Sequence, residues 1–224
     1  MPAYLDEICN PFYSSVKSAE TRNFKFGRIF WAHAYYPHQM LELWRPKDVN
    51  RKTQTAADFN PTRPPPDAFG RQLPYTFPHL TAHEEFIVMR AKRRPVLLIQ
   101  LPNPTLADVK NTSMKLNRNL CVVAPIFSVA DKVGDAKLPQ EFVGRVRSLE
   151  FPEFLFLPGS GPLELDSLLR LDELQSVGTV NLTPTDFCLV EEVENVFRSQ
   201  VSLYFTGLCG KDFLEYRDTL TNWT

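Results

Sequence analysis

The chain predicts a mainly β fold with an amphipathic helix near its C-terminus and a long insertion after the first strand. Short runs of β-branched and aromatic residues recur along it, with 17 Phe and 7 Tyr in 224 residues, and such side chains suit a pleated, half-buried surface. Prolines number 19 against 9 glycines, which favours strands joined by stiffened loops over long helices. At 43% hydrophobic and 23% charged, the chain buries a core of domain size and is too apolar for intrinsic disorder.

Residues 1 to 25 read as a loosely patterned leader and residues 26 to 224 as one domain. Its first strand runs from Phe26 to Ala34. The insertion covers about residues 35 to 84 and contains Pro61 and the run Pro64-Pro65-Pro66. Consecutive prolines lack backbone donors and hold φ, so this span is excluded from interior sheet and has at most short elements of its own. Strands at 85 to 89 and 95 to 101 flank the basic run Arg90-Ala91-Lys92-Arg93-Arg94. Residues 119 to 126 are almost continuously apolar, the pattern of a strand buried on both faces. Residues 141 to 147 set Phe142, Val143 and Val146 against Glu141, Arg145 and Arg147, and read as a further strand. Short strands at 153 to 157 and 167 to 171 lie on either side of the turn Pro158-Gly159-Ser160-Gly161-Pro162.

The helix is expected over about 184 to 206. Thr183 is its N-cap, Pro184 fits the first helical position, and Asp186 reaches back to the cap. Phe187, Val190, Val193, Phe197, Val201 and Tyr204 recur every three or four residues as one apolar stripe. Gly207 or Gly210 stops it, and a shorter helix follows from about 212 to 220.

The formal net charge is -1, so nothing global demands a polyanion or a membrane surface. The halves differ, however. Residues 1 to 100 carry 14 basic against 9 acidic side chains, and residues 101 to 224 carry 11 against 17, so a polyanion should meet the first half. No apolar stretch approaches the roughly 18 residues that span a bilayer. The acids Asp6 and Glu7 occupy the place of a signal peptide's basic start. The four cysteines stand far apart without a C-x-x-C pair, as reduced thiols of a cytoplasmic protein do.

The basic run is the sharpest electrostatic feature. Pro95 biases Arg94 towards an extended backbone and presents its planar donor fork from a semi-rigid site, which suits phosphate oxygens. His79 and His83 are four apart, but no third ligand stands at a familiar spacing, so no metal is expected. The glycine patterns of dinucleotide sites, P-loops and α/β-hydrolases are absent, so no cofactor is expected either.

Four pieces in order resemble the PemK/MazF toxin family, small endoribonucleases of toxin-antitoxin systems. They are Gly27-Arg28-Ile29-Phe30-Trp31, Arg94-Pro95-Val96-Leu97-Leu98-Ile99-Gln100, Ala124-Pro125-Ile126-Phe127-Ser128, and Asp166 to Val177. The resemblance covers about half the chain. It implies a small SH3-like barrel with a C-terminal helix, a homodimer, and an antitoxin partner laid across the groove. It also implies metal-free cleavage of single-stranded RNA by 2′-hydroxyl attack, leaving a cyclic phosphate.

On this resemblance Arg94 serves the phosphate. The family's partner Thr is replaced by Phe127, so Ser128 is the expected second catalytic residue, provided a bulge or register shift turns it to Arg94's face. His79 or His83 of the insertion is the alternative. Arg28, Arg90, Lys92 and Arg93 are the expected RNA-binding residues. Arg45, Lys47, Arg51, Lys52, Trp44 and the histidines of the insertion are expected to rebuild or cover the groove. The competing expectation, motivated by Phe127, is a barrel without catalysis that binds RNA or protein.

Overall fold

The computed structural model describes residues 4–17, 23–47, 59–75, 79–101 and 119–222. Its strands are β1 (Tyr13–Ser15), β2 (Arg28–Tyr35), β3 (Glu42–Pro46), β4 (Phe59–Thr62), β5 (Ile87–Val88), β6 (Ala91–Gln100), β7 (Leu120–Ser128), β8 (Phe154–Leu157), β9 (Ser167–Arg170), β10 (Gln175–Gly178) and β11 (Thr183–Leu189). Its helices are α1 (Leu5–Ile8), α2 (Gln140–Arg147), α3 (Glu191–Thr206) and α4 (Lys211–Asn222). The chain divides into two compact units, Met1–Ala34 with Arg93–Thr224, and Tyr35–Lys92.

The first unit is built on a large antiparallel sheet in the order β1-β11-β2-β6-β7-β9-β8, with β10 also paired to β7. The sheet is open, ending at β1 and β8. Alternation assigns its faces. Ile29, Leu97, Ala124, Ile126, Leu155 and Leu169 point to one side, where they form the main core with Val193 and Phe197 of α3 and Phe213 and Leu220 of α4. Their neighbours along the strands point the other way and form two smaller clusters. Phe30, Val96, Leu98 and Val123 make one, and Phe156 and Leu168 with Val146 of α2 make the other.

The residues read as a leader contribute structure to this unit. Tyr13–Ser15 pairs with β11, and Leu5 and Phe12 are buried in the main core.

Two segments take a conformation other than the one their pattern suggests. Residues 141 to 147 are helical: Phe142, Val143 and Val146 fall at i, i+1 and i+4, which fits a helical face as well as a strand, and seven residues are too few to separate the periods. Burial decides, because Val146 packs on Phe156 and Leu168. Residues 183 to 189 are strand, lying between β1 and β2 with Cys188 opposite Ser14 and Thr183 opposite Trp31. Thr185 donates its hydroxyl to the Ile29 carbonyl at 2.6 Å. Pairing on both sides outweighs a local cap signal, so the helix starts only at Glu191, with Glu191, Glu192 and Glu194 in its first turn where the macrodipole favours acids. Gly207, at φ +70°, ends it.

The second unit holds a three-stranded sheet in the order β4-β3-β5. Pro61 lies in the edge strand β4, where its missing donor does not interrupt a ladder. Trp44 packs against Phe59 and Phe86, with ring centroids 5.2 and 6.0 Å apart. The Glu85 carboxylate is completely buried between the guanidinium groups of Arg45, at 2.5 Å, and Arg71. Arg45 also reaches Asp67 at 2.9 Å, and Arg71 stacks on Tyr75. A sheet this small has little apolar core, and this charged knot ties its loops together.

Candidate nucleic-acid interface

Arg94 stands where the ladder between β6 and β7 gives out. Val96 pairs with Pro125, Leu97 with Ala124 and Leu98 with Val123. Pro95 has no N–H, so pairing stops at Val96. One step beyond that proline, the Arg94 guanidinium lies 4.4 Å from the centroid of the Phe127 ring, a cation–π contact. On its other side β7 pairs in unbroken register with β9, Ile126 with Leu169, Phe127 with Leu168 and Ser128 with Ser167. Arg170, two residues from Leu168 and therefore on the same face, lies 5.6 Å from the same ring and 5.8 Å from Phe154. Two guanidinium groups thus share one half-buried aromatic ring, on the sheet face between the two smaller apolar clusters.

Arg170 is bound by Asp172, at 3.0 and 2.5 Å, and by Glu173 at 2.8 Å. The hydrogen bond to Asp172 raises its pKa against the opposing effect of burial. Glu173 is itself buried, and its Oε2 has no hydrogen-bond partner among the described residues. A carboxylate oxygen in that state is costly and is a feature found at functional sites.

The structure separates the expected catalytic pair. Ser128 follows Phe127 in a strand with no bulge, so it points to the opposite sheet face from Arg94. Its hydroxyl accepts a 2.7 Å hydrogen bond from Lys137, which also donates to the Ala130 carbonyl at 2.8 Å. Arg93 alternates with Arg94 onto that same opposite face, where its guanidinium lies 5.3 Å from the Trp31 ring.

Arg28, expected on RNA, is fully buried. Its side chain donates to the Asn23 carbonyl at 2.6 Å and the Thr185 carbonyl at 3.0 Å, and it lies over Phe30. The aromatic residues and carbonyls around it make it a structural cation. Arg90 and Lys92 are exposed, but they belong to the second compact unit, whereas Arg93 and Arg94 belong to the first. The basic run is therefore divided between the units.

Within the second unit, Arg45 and Trp44 are engaged in the knot and the aromatic stack described above. His83 places Nδ1 3.1 Å from the Phe69 carbonyl, and His38 stands edge-on to Tyr36. Arg51 and Lys52 lie outside the described residues. Among the described residues no cluster of three His, Cys, Asp or Glu could hold a metal ion, all four cysteines are free thiols, and no helix is long and apolar enough to cross a membrane.

Sequence reasoning identified Arg94 and noticed Phe127 as a departure. Arg170 and Glu173 both fall in the stretch Asp166 to Val177, but nothing in their spacing singles them out: Glu173 reads as one of several acids that could supply a carboxylate, and Arg170 as the end of a short strand. No protein-family model matches the chain, and no curated protein matches it either.

Proposed function

We propose that this protein binds single-stranded RNA on the Arg94–Phe127 platform, as a divergent relative of the PemK/MazF toxins whose small SH3-like barrel has been widened into an open sheet. The carrying observation is the Arg94 guanidinium 4.4 Å over the Phe127 ring. A ring of this kind stacks a base, and a guanidinium beside it engages the adjoining phosphate, the usual pairing for single strands. The ordered motif resemblance supports the same reading. A second copy and an antitoxin covering the platform are the protein partners it implies.

The test is fluorescence anisotropy with a labelled, unstructured oligoribonucleotide. Binding should weaken as salt rises, and Arg94→Ala should weaken it at least 10-fold. An oligonucleotide that does not bind the intact protein at low salt refutes the proposal.

A second reading, RNA cleavage, is favoured by the orphan oxygen of Glu173 beside Arg170. There Glu173 takes the proton of the attacking 2′-hydroxyl, while the guanidinium groups stabilise charge on the phosphate oxygens. The leaving 5′ oxygen is protonated by water. Discrete fragments with cyclic phosphate ends, formed in EDTA and lost in Glu173→Gln, would establish it. Intact RNA after prolonged incubation leaves binding alone.

A further inference from the structure

Next to the platform, on the same sheet face, lies a cavity of about 290 Å³. Val129, which lines it, is two residues beyond Phe127, just past the end of β7, and packs with Phe156 and Leu168 on this face, so the cavity begins roughly 7 Å from the stacking ring's position on the strand. That is within reach of a neighbouring nucleotide. Phe156, Leu138 and Val143 supply its apolar walls, and Tyr4, Arg147 and Asp166 its polar ones.

The charges decide what can enter. Arg147 stacks on Tyr4 and Phe156, at 3.9 and 5.1 Å. It gives Nε and Nη2 to Asp6, at 2.9 and 2.6 Å, and Nη2 also to Glu7. Its Nη1 keeps no partner among the described residues. Asp166 accepts from the Gly159 N–H with Oδ1 at 2.7 Å, and its Oδ2 is likewise left without one. Two carboxylates therefore already neutralise the guanidinium, and Asp166 adds a third to the lining of the same cavity, so a phosphate is repelled and a neutral group is admitted. The walls want a flat apolar body, Asp166 wants donors, and Arg147 offers donors.

We propose that this cavity is a nucleobase pocket selective for guanine. Guanine alone among the four bases presents two adjacent donors, N1–H and N2–H₂, to one carboxylate while its O6 and N7 accept from a guanidinium. Adenine offers a carboxylate only its exocyclic amine, and uracil only one N–H. The phosphate stays outside the cavity, in solvent. The inference rests on the RNA-binding reading for its context, but the pocket is tested separately from the platform.

The experiment titrates guanosine, adenosine, cytidine and uridine 5′-monophosphates into isotopically labelled full-length protein and follows the methyl signals of Val129, Leu138 and Val143 by NMR. Guanosine monophosphate should shift these methyls and bind roughly 5- to 100-fold tighter than the others, the span of one good bidentate base contact. Asp166→Asn keeps an oxygen for the Gly159 amide, so the fold is retained while the guanine preference should fall to within about 2-fold. Equal binding of all four, no shift with any, or a preference untouched by Asp166→Asn overturns the proposal. Arg94→Ala should leave guanosine monophosphate binding at the pocket while weakening RNA, so failure of the platform and failure of the pocket give different results.

Discussion

Replacing Glu85 by Gln should loosen the second unit while leaving the first intact. The carboxylate is completely buried, and two guanidinium groups, themselves only 13% and 6% exposed, converge on it. Glutamine keeps the shape and loses the charge, leaving Arg71 without its counter-ion and Arg45 with only the exposed Asp67. Removing one partner of a buried ion pair typically costs about 3–5 kcal/mol, which is roughly two to four orders of magnitude in an opening equilibrium. Hydrogen exchange read by mass spectrometry resolves this by segment. Amides in residues 79 to 92 should exchange about 100-fold faster or more, whereas those of β7 and α3 stay within a few-fold. The same carboxylate predicts the acid response. Burial pushes its pKa up, but the hydrogen bonds and charges of Arg45 and Arg71 outweigh this and hold it below the ordinary value of 4.5. Its contribution is therefore fully present above that value and lost as pH falls through the lower folded value. Exchange rates in Glu85→Gln within about 3-fold of the parent at neutral pH would refute the view that this knot holds the unit together.

Three further outcomes test the remaining structure. Arg28→Met, which removes a buried cation from two carbonyl acceptors, should cost about 3 kcal/mol in urea unfolding and leave RNA affinity within 2-fold; a large loss of affinity at unchanged stability would return Arg28 to the interface. Gly159→Ala places a Cβ 2.7 Å from the Asp166 amide nitrogen and 2.8 Å from the Leu165 carbonyl carbon, a backbone clash expected to lower stability by about 1–3 kcal/mol, visible as a drop in Tm by calorimetry. Phe127→Ala should weaken oligonucleotide binding by about 1–3 kcal/mol, measured by anisotropy, whereas Ser128→Ala, on the opposite face, should change it less than 2-fold.

How much of the site was legible depended on how local its cause was. Arg94 could be found because the following proline acts on it directly. Phe127 stood out because a phenyl ring cannot do what a threonine hydroxyl does. Ser128 joins Arg94's face only if the strand end is bulged or shifted, a condition that only an observed register settles, and β7 runs unbroken through Ile126, Phe127 and Ser128. Arg170 reaches the platform through a strand pairing that no sequence spacing expresses, and Glu173 is tied to it through its ion pair with Arg170.

The composition and short apolar runs by themselves determined that strand would dominate and that the apolar run ending at Ile126 would be buried on both faces, which holds from Cys121 to Ile126 although Asn119 and Leu120 are exposed. The prolines kept Pro61 at a sheet edge, because a missing donor is a property of the residue and holds in any fold. Tertiary structure alone decided that residues 141 to 147 wind into α2, that Thr183–Leu189 pairs as β11, and that Arg28 is buried. Each of these depends on partners far away in the chain. A strand ladder or a buried cation is stable only once those partners are assembled, and seven residues carry too little periodicity to choose for themselves.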